Sequence, residues 1–408
     1  MLVKNTFTHD IRVEREALTL IAQGFDVFVV ALQSPVIAIK ENVKGINIVR
    51  VPRPGSRIRS FGDPTSKIHK ENNRKYLSKS IRIVLTTLRV VSTWRILSFL
   101  HNRLDSAMYS AAIALEPDFI HAHDLETLAV ASRIKHKLDI PLVYDSHEMA
   151  TGRNLASNSM NRRAENLERR LIPEANAVIM ASGGYAEKIS NLYGVNDAIV
   201  IRNVPRFISE FRSELDLRKI YSIAEEYKLM VHQGSILPNR GIEQTITSLK
   251  YLPNCVLVVI GYGHHVNVLK ELATKEGVSA RVIFHGPVPP DDLISLASSA
   301  DVGICTIVGN CESYLHSMPN KLFEYLMAEI PIIVSDYPGM GKFVLHNRLG
   351  FVCNPLDPRS ISDAVNSLFE NFEIKESIVE ACRLAKKDAC WETEQEKLHN
   401  IYLKMNSA

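Results

Sequence analysis

Short apolar runs that stop on polar residues alternate along this chain with stretches whose apolar positions recur every three or four residues. That alternation marks buried parallel strands separated by amphipathic helices. In the first half it predicts a helix over 10–23, strands over 26–31 and 46–51, and further strands over 119–121, 142–144 and 177–180. Polar, charge-rich sequence over 206–228 interrupts the series. It restarts at Leu229, with strands near 256–260, 282–284, 302–306 and 332–334. The predicted fold class is α/β: two Rossmann-like domains joined near residues 205–228, each a parallel sheet covered on both faces. A chain of 408 residues also exceeds the size at which single cores stop growing.

Ligands of such sheets bind beyond the carboxyl ends of the strands, so the polar residues there carry the chemistry. Ile120 runs into His121, Ala122, His123 and Asp124, and Tyr144 runs into Asp145, Ser146, His147 and Glu148. Two clusters of histidine and carboxylate predict a shared cleft. Zinc is the competing ligand; we expect His121 and His123 to lie on alternate faces of their strand and not to chelate it.

In the second half, the stretch Gly234, Ser235, Ile236, Leu237, Pro238, Asn239, Arg240, Gly241 links a strand to a helix. Arg240 at that helix start can hold phosphate oxygens with a bidentate fork. Gly261, Tyr262, Gly263, His264, His265 and Val266 resemble a dinucleotide fingerprint, but Val266 stands where the third glycine belongs and no acid follows at His285. The strongest signal is PNKLFEYLMAEIPIIVSD over 319–336. At 100° per residue, Leu322, Phe323, Leu326 and Met327 share one side of a helix. Lys321, Glu324, Tyr325 and Ala328 share the other, predicted to point away from the core. Lys321 then sits in the first turn, where unpaired N–H groups and the helix dipole favour a diphosphate, and Glu324 can accept from a ribose diol. An i, i+3 ion pair on a solvated helix is the equally open alternative.

Composition is that of an ordinary globular protein, 46% hydrophobic and 23% charged. All six cysteines lie in the second half without a CxxC pair, which predicts buried thiols in a reducing compartment. No apolar signal core opens the sequence and no run reaches the ~18 apolar residues that span a bilayer, so a cytoplasmic protein is expected. The net charge of +3 hides an asymmetry: residues 50–103 hold thirteen Lys or Arg against two acids, a balance of +11. Within that segment Lys75, Lys79, Arg82 and Arg89 oppose Leu77, Ile81, Val84, Leu88 and Val91, a basic amphipathic helix. It suits an anionic membrane surface or an anionic acceptor, with a merely solvated basic face as the alternative. Nothing resembles a nucleic-acid-binding module, and no nucleic-acid partner is expected.

Seven motifs in order, FTHDIRVEREALTLIAQGFDV (7–27), HAHDLETL (121–128), YDSHE (144–148), HQGSILPNRGIE (232–243), VIGYG (259–263), FHGPVP (284–289) and PNKLFEYLMAEIPIIVSD, resemble the family 4 glycosyltransferases. The resemblance covers nearly the whole chain, including WETEQEKLHNIYLKM at 391–405, which is similar to the family's terminal helix that crosses back to the first domain. It implies a GT-B fold with two facing domains and a deep cleft. Residues 1–205 with 391–408 would form the acceptor-binding domain, and 206–390 the donor-binding one. It implies retaining transfer of a hexose from a nucleotide-diphosphate sugar, UDP-glucose or another UDP-hexose first, to a glycan or lipid-linked acceptor in envelope or exported-polysaccharide assembly. By this resemblance Arg240, Lys321 and the backbone of Asn320 to Leu322 neutralise the diphosphate, beside Gly234 and Ser235. Glu324 takes the ribose and the loop Gly286 to Val288 the base, while His123 faces the transferred sugar. His9, Asp10, His121, Asp124, His147 and Glu148 fall on the acceptor side. No DxD motif is present, and neither a metal nor a cofactor is expected.

The sequence departs from the family pattern in places. His316 stands where relatives carry a first glutamate, eight residues before Glu324, and Ser235 stands where an arginine is common. Arg240 occupies a position more often held by lysine. The first strand is reduced to residues 1–4 and the glycine-rich turn after it is missing, so either the start is misassigned or the acceptor side is built differently. A GT-B nucleotide-sugar epimerase and a nonenzymatic sugar-nucleotide-binding partner are the alternative functions.

Overall fold

The computed structural model describes residues 1–8, 10–53, 102–149, 152, 158–195, 197–309 and 311–407. The basic helix expected over 75–91 and the site residue His9 lie outside them. The chain divides into two compact units, Met1–Asp145 with Leu171–Ala177, and Ser146–Arg170 with Val178–Ala408.

The first unit is built on five strands, β1 (Phe28–Leu32), β2 (Lys40–Val43), β3 (Ile46–Val51), β4 (Ile120–His123) and β5 (Leu142–Ser146). β1 pairs in parallel with β3, antiparallel β2 forms the edge, and β4 pairs in parallel with β5. The expected first strand is reduced to Leu2, which bridges β1 and β4: its N–H donates to His121 O at 2.8 Å, while His123 N–H donates to Leu2 O at 3.2 Å. The helix Ile11–Ala22 starts where the Asp10 carboxylate accepts from the Val13 N–H, an N-cap, and it buries Val13, Ala17 and Leu20. Residues 5–8 are anchored by Arg50, a buried guanidinium that donates to Thr6 O and Ala38 O and pairs with Glu41 at 2.6 Å.

The second unit contains a short parallel pair, β6 (Ala177–Met180) with β7 (Ile199–Val200), and a six-stranded parallel sheet. That sheet comprises β8 (Lys228–Gln233), β9 (Cys255–Ile260), β10 (Val282–Gly286), β11 (Val302–Cys305), β12 (Ile332–Ser335) and β13 (Gly350–Cys353). Its spatial order is β10-β9-β8-β11-β12-β13. The chain winds outward from β8 to β10, then returns to lay β11 on the other side of β8. A crevice therefore opens at the carboxyl ends of β8 and β11, the topological switch point of the sheet. The helix Trp391–Asn406 packs on the 200–205 segment of the same unit, through Trp391 N–H to Pro205 O at 2.8 Å and an Arg202–Glu394 ion pair at 2.6 Å.

The helix Asn320–Met327 differs from its predicted face. Tyr325 and Ala328, expected to point outward with Lys321, are buried together with Leu322, Phe323, Leu326 and Met327. The wheel failed because this helix packs against the helices Pro290–Ser298 and Phe372–Ala385 as well as against the sheet. The Tyr325 ring fills the space over Gly303 in β11, where a Cβ would come within 2.4 Å of it. Its hydroxyl accepts from Gln233 N–H at 2.9 Å and lies 3.2 Å from Val231 O. Tyr325→Phe would leave a buried N–H unsatisfied, and we expect a loss of roughly 1–3 kcal/mol in urea unfolding, with the secondary structure by circular dichroism unchanged.

Candidate functional site

The crevice at β8 is lined by residues from three sources. β8 contributes His232 and Gln233, both buried, the loop after it contributes Arg240, and the first two turns of the helix Asn320–Met327 contribute Lys321 and Glu324. Lys321 Nζ lies 3.0 Å from His232 Nε2, and Gln233 Nε2 donates to the Glu324 carboxylate. Both pairings follow from the Tyr325 hydroxyl, which fixes the helix against the end of β8. Burial lowers the Lys321 pKa to about 8, with Arg240 adding to the effect. Burial also holds His232 well below its ordinary value, again helped by the charges of Lys321 and Arg240. His232 is thus a neutral acceptor beside a cation.

Among the described residues no carboxylate pairs with the Arg240 guanidinium, and Gln233 Oε1 and His232 Nδ1 have no hydrogen-bond partner. Two cations that repel one another, with polar atoms left open beside them, are an arrangement that can hold an anion. Of the other residues expected here, Gly234, Ser235 and Asn320 are exposed, Gly286 and Val288 are half-buried, and Leu322 is part of the core. The Leu322 backbone, expected to meet the diphosphate, is not open to it either: its N–H donates to Pro319 O at 3.0 Å and the residue is fully buried.

The first unit holds a second cluster. His121 and His123 stack with ring centroids 4.3 Å apart and planes at 18°. The expectation that they lie on alternate faces is wrong, because side chains two apart on a strand share a face. Asp145, at the end of neighbouring β5, lies 3.5 Å from His123 Nδ1, and Glu16 lies 3.8 Å from His121 Nε2. Glu16, His121, His123 and Asp145 thus bring four ligand-type atoms within 4.8 Å of one another. The charge among them comes from Arg12, whose guanidinium donates to both Asp145 oxygens, at 3.1 and 2.7 Å, and lies 3.1 Å from Glu16.

Burial opposes the charge on Arg12, but Asp145 and Glu16 outweigh it and raise its pKa. Burial, reinforced by Asp145, pushes the Glu16 carboxyl well above its ordinary value. The cluster is therefore internally neutral: Arg12 pairs with Asp145, and Glu16 keeps its proton. Arg12 and Glu16 escaped the sequence reading because charged residues on a helix look solvated, although their i, i+4 spacing on the Val13 side of the helix signalled a buried pair. His232 and Gln233 escaped it because polar residues at the end of an apolar run carry no sign of whether they are sealed inside.

Asp10 is spent as a helix cap, and Asp124 adopts φ +62° at the turn out of β4, its N–H bonded to Asp145 O at 2.8 Å. His147 and Glu148 follow β5 in the second unit, where the Ser146 hydroxyl bonds Glu148 O. His316 is wedged against the start of the helix Gly183–Tyr193: Ser182 donates to His316 O at 2.8 Å, and a Cβ on Gly184 would meet the imidazole at 2.6 Å. Its Nε2 lies 3.3 Å from Glu312, which also pairs with Lys188 at 3.0 Å. Glu312 thus places a carboxylate one helical turn before His316.

Two α/β units built mainly on parallel strands, one with a polar crevice at the switch point of its sheet, have the architecture of the GT-B glycosyltransferases. Residues 213–384 match the family model described as glycosyl transferases group 1, and residues 10–204 match the glycosyl transferase 4-like domain. A glycogen synthase of Mycobacterium tuberculosis is 24% identical over 296 residues, 70% of this chain and 69% of that protein. A D-inositol 3-phosphate glycosyltransferase of Corynebacterium diphtheriae is 23% identical over 305 residues, 70% of each. Among solved structures, sucrose-phosphate synthase from Thermosynechococcus elongatus superposes with a TM-score of 0.75 at 14% identity, covering 97% of this chain and 93% of that one. HepE of Anabaena in complex with UDP superposes with a TM-score of 0.70 at 17% identity, covering 99% of each. The chain belongs to the family 4 glycosyltransferases and has the GT-B fold.

The Arg12 cluster generates a test in which charge and shape separate. Glu16→Gln copies the protonated acid and should change stability by no more than about 1 kcal/mol at pH 6, whereas Arg12→Ala strands buried Asp145 and should cost about 3–5 kcal/mol. The fold holds a proton on Glu16 that the unfolded chain releases near pH 4.5, so its contribution is present below that value and lost as pH rises through the raised folded one. Denaturation midpoints across that range should decline in the wild type and flatten in Glu16→Gln.

Proposed function

We propose that this glycosyltransferase transfers a hexose with retention from a UDP-sugar, UDP-glucose first, to a glycan or lipid-linked acceptor of an envelope or exported polysaccharide, without a metal. The observation that carries this reading is the pair of fixed cations, Arg240 and Lys321, at the switch-point crevice beside neutral His232. As the anomeric carbon–oxygen bond breaks, negative charge collects on the departing diphosphate, and these two groups with the helix start stabilise it in place of a divalent ion. Glu324, oriented by Gln233, takes the ribose hydroxyls, the Gly286 to Val288 loop meets the base, and His123, held by Asp145, faces the transferred sugar. Residues 206–390 serve the donor, and 1–205 with 391–408 serve the acceptor. HepE solved with UDP-glucose supports the choice of donor class.

No helix among the described residues is long and apolar enough to cross a membrane. A cytoplasmic location, with the basic 75–91 segment touching the anionic inner face, is part of the same proposal.

Binding and slow hydrolysis of UDP-, GDP- and ADP-sugars, measured with EDTA and then with magnesium, test the reading. One donor should bind and turn over equally in both, and binding without turnover in the presence of candidate acceptors would overturn transfer. Arg240→Ala and Lys321→Ala should each lower turnover by roughly two to three orders of magnitude, and near-normal rates in both would remove the phosphate assignment. Because an anion selects protonated Lys321, donor affinity should fall as pH rises through about 8 in the wild type but not in Lys321→Arg.

A further inference from the structure

The carboxyl edge of the six-stranded sheet carries a side chain that the diphosphate chemistry leaves unused. Three loops leave β8, β9 and β10 there, and they are zipped together backbone to backbone. Ile236 N–H donates to Tyr262 O at 2.8 Å, His265 N–H to Ile236 O at 3.4 Å, and Gly261 N–H to Gly286 O at 2.8 Å. The glycines of the turn make this contact possible. Gly261 has φ +141°, and a Cβ there would lie 1.9 Å from Gly234 O, while a Cβ on Gly263 would lie 1.9 Å from Ile236 O. Side chains are thereby excluded from the junction on both sides of Tyr262.

Tyr262 itself is 71% exposed, and among the described residues its side chain has no hydrogen bond, ion pair or ring contact. A large aromatic left in water on a rigid mount gains nothing from the fold that holds it. It gains when a flat ring covers it.

We propose that Tyr262 is the stacking platform for the nucleobase of the donor. This rests on the reading that a nucleoside diphosphate lies across the edge with its phosphates at Arg240 and Lys321. The loop that carries Arg240 is the one hydrogen-bonded to the Tyr262 backbone, and β9 adjoins β8 with Gln233 opposite Ile260, so Tyr262 lies one strand spacing, about 5 Å, to the side of β8 and two residues beyond the level of Gln233. A nucleoside extending from that crevice toward Gly286 and Val288 passes over β9. The base would offer its edge to the Gly286 to Val288 backbone and its face to the phenol ring. Stacking of this kind tolerates different bases, so the ring supplies affinity while the loop supplies selection.

The test compares UDP, GDP, ADP and inorganic pyrophosphate binding by calorimetry in the wild type and in Tyr262→Ala, Tyr262→Phe and Tyr262→Trp. The exposed position makes all three variants compatible with folding. For the nucleotide that the wild type prefers, Tyr262→Ala should weaken binding roughly tenfold to a hundredfold, and the two aromatic variants should stay within about threefold. Pyrophosphate affinity should be the same in all four proteins. Undiminished nucleotide binding in Tyr262→Ala overturns the platform and leaves the diphosphate site standing. Parallel loss of nucleotide and pyrophosphate in Tyr262→Ala overturns it in favour of a purely structural turn, and a wild type that binds neither overturns the donor reading beneath it.

Discussion

The phenol of Tyr325 sets the geometry of the crevice in the second unit. It accepts from the last N–H of β8 and lies against the Val231 carbonyl, with its ring seated over Gly303 of β11, so it ties one helix to two central strands at the point where the sheet changes direction. Everything at the crevice follows from that tie. Lys321 lies one helical turn before Tyr325 and so reaches His232, and Glu324 precedes it directly and meets Gln233. A helix displaced by a fraction of a turn would send both charges into water, where an ion pair between them would be worth little.

The two units treat buried charge in opposite ways. In the first, Arg12, Asp145 and protonated Glu16 cancel one another within a few ångströms, and two histidines rest against the result. The energetic logic is closure, since every charge there has its partner inside the fold. In the second, no carboxylate among the described residues pairs with Arg240, and burial, with the Arg240 charge adding to it, depresses the Lys321 pKa. A site that keeps such a cost in its resting state gains by admitting an anion.

Much of the fold was legible from the chain. The strands over 46–51 and 177–180 have the predicted bounds, and nearly every other expected strand lies within a residue or two of its place, because buried parallel strands print continuous apolar runs. β2, β7 and β13 were missed: β2 is an exposed edge strand of mixed composition, β7 is two residues long, and Gly350 opens β13 like a turn. Lys321, Glu324 and Arg240 were legible as candidate site residues, because Arg240 stands between a strand and a helix and Lys321 lies in the first turn of a helix with Glu324 one turn behind it. His232, Gln233, Arg12 and Glu16 were not, since a polar residue at a strand end and a charged pair on a helix have the same appearance whether they are solvated or sealed inside.

The sequence by itself determined the alternation of strands and helices, and hence two parallel α/β units with polar chemistry at strand ends, because local periodicity and composition suffice for that. Only the tertiary structure decided which helix face was buried, which charges met, and which stayed without a partner. Those depend on contacts between residues as distant in sequence as Arg12 and Asp145 or Gln233 and Tyr325. Burial, which turns such contacts into shifted pKa values and stored electrostatic cost, is a property of the packed chain and not of its order.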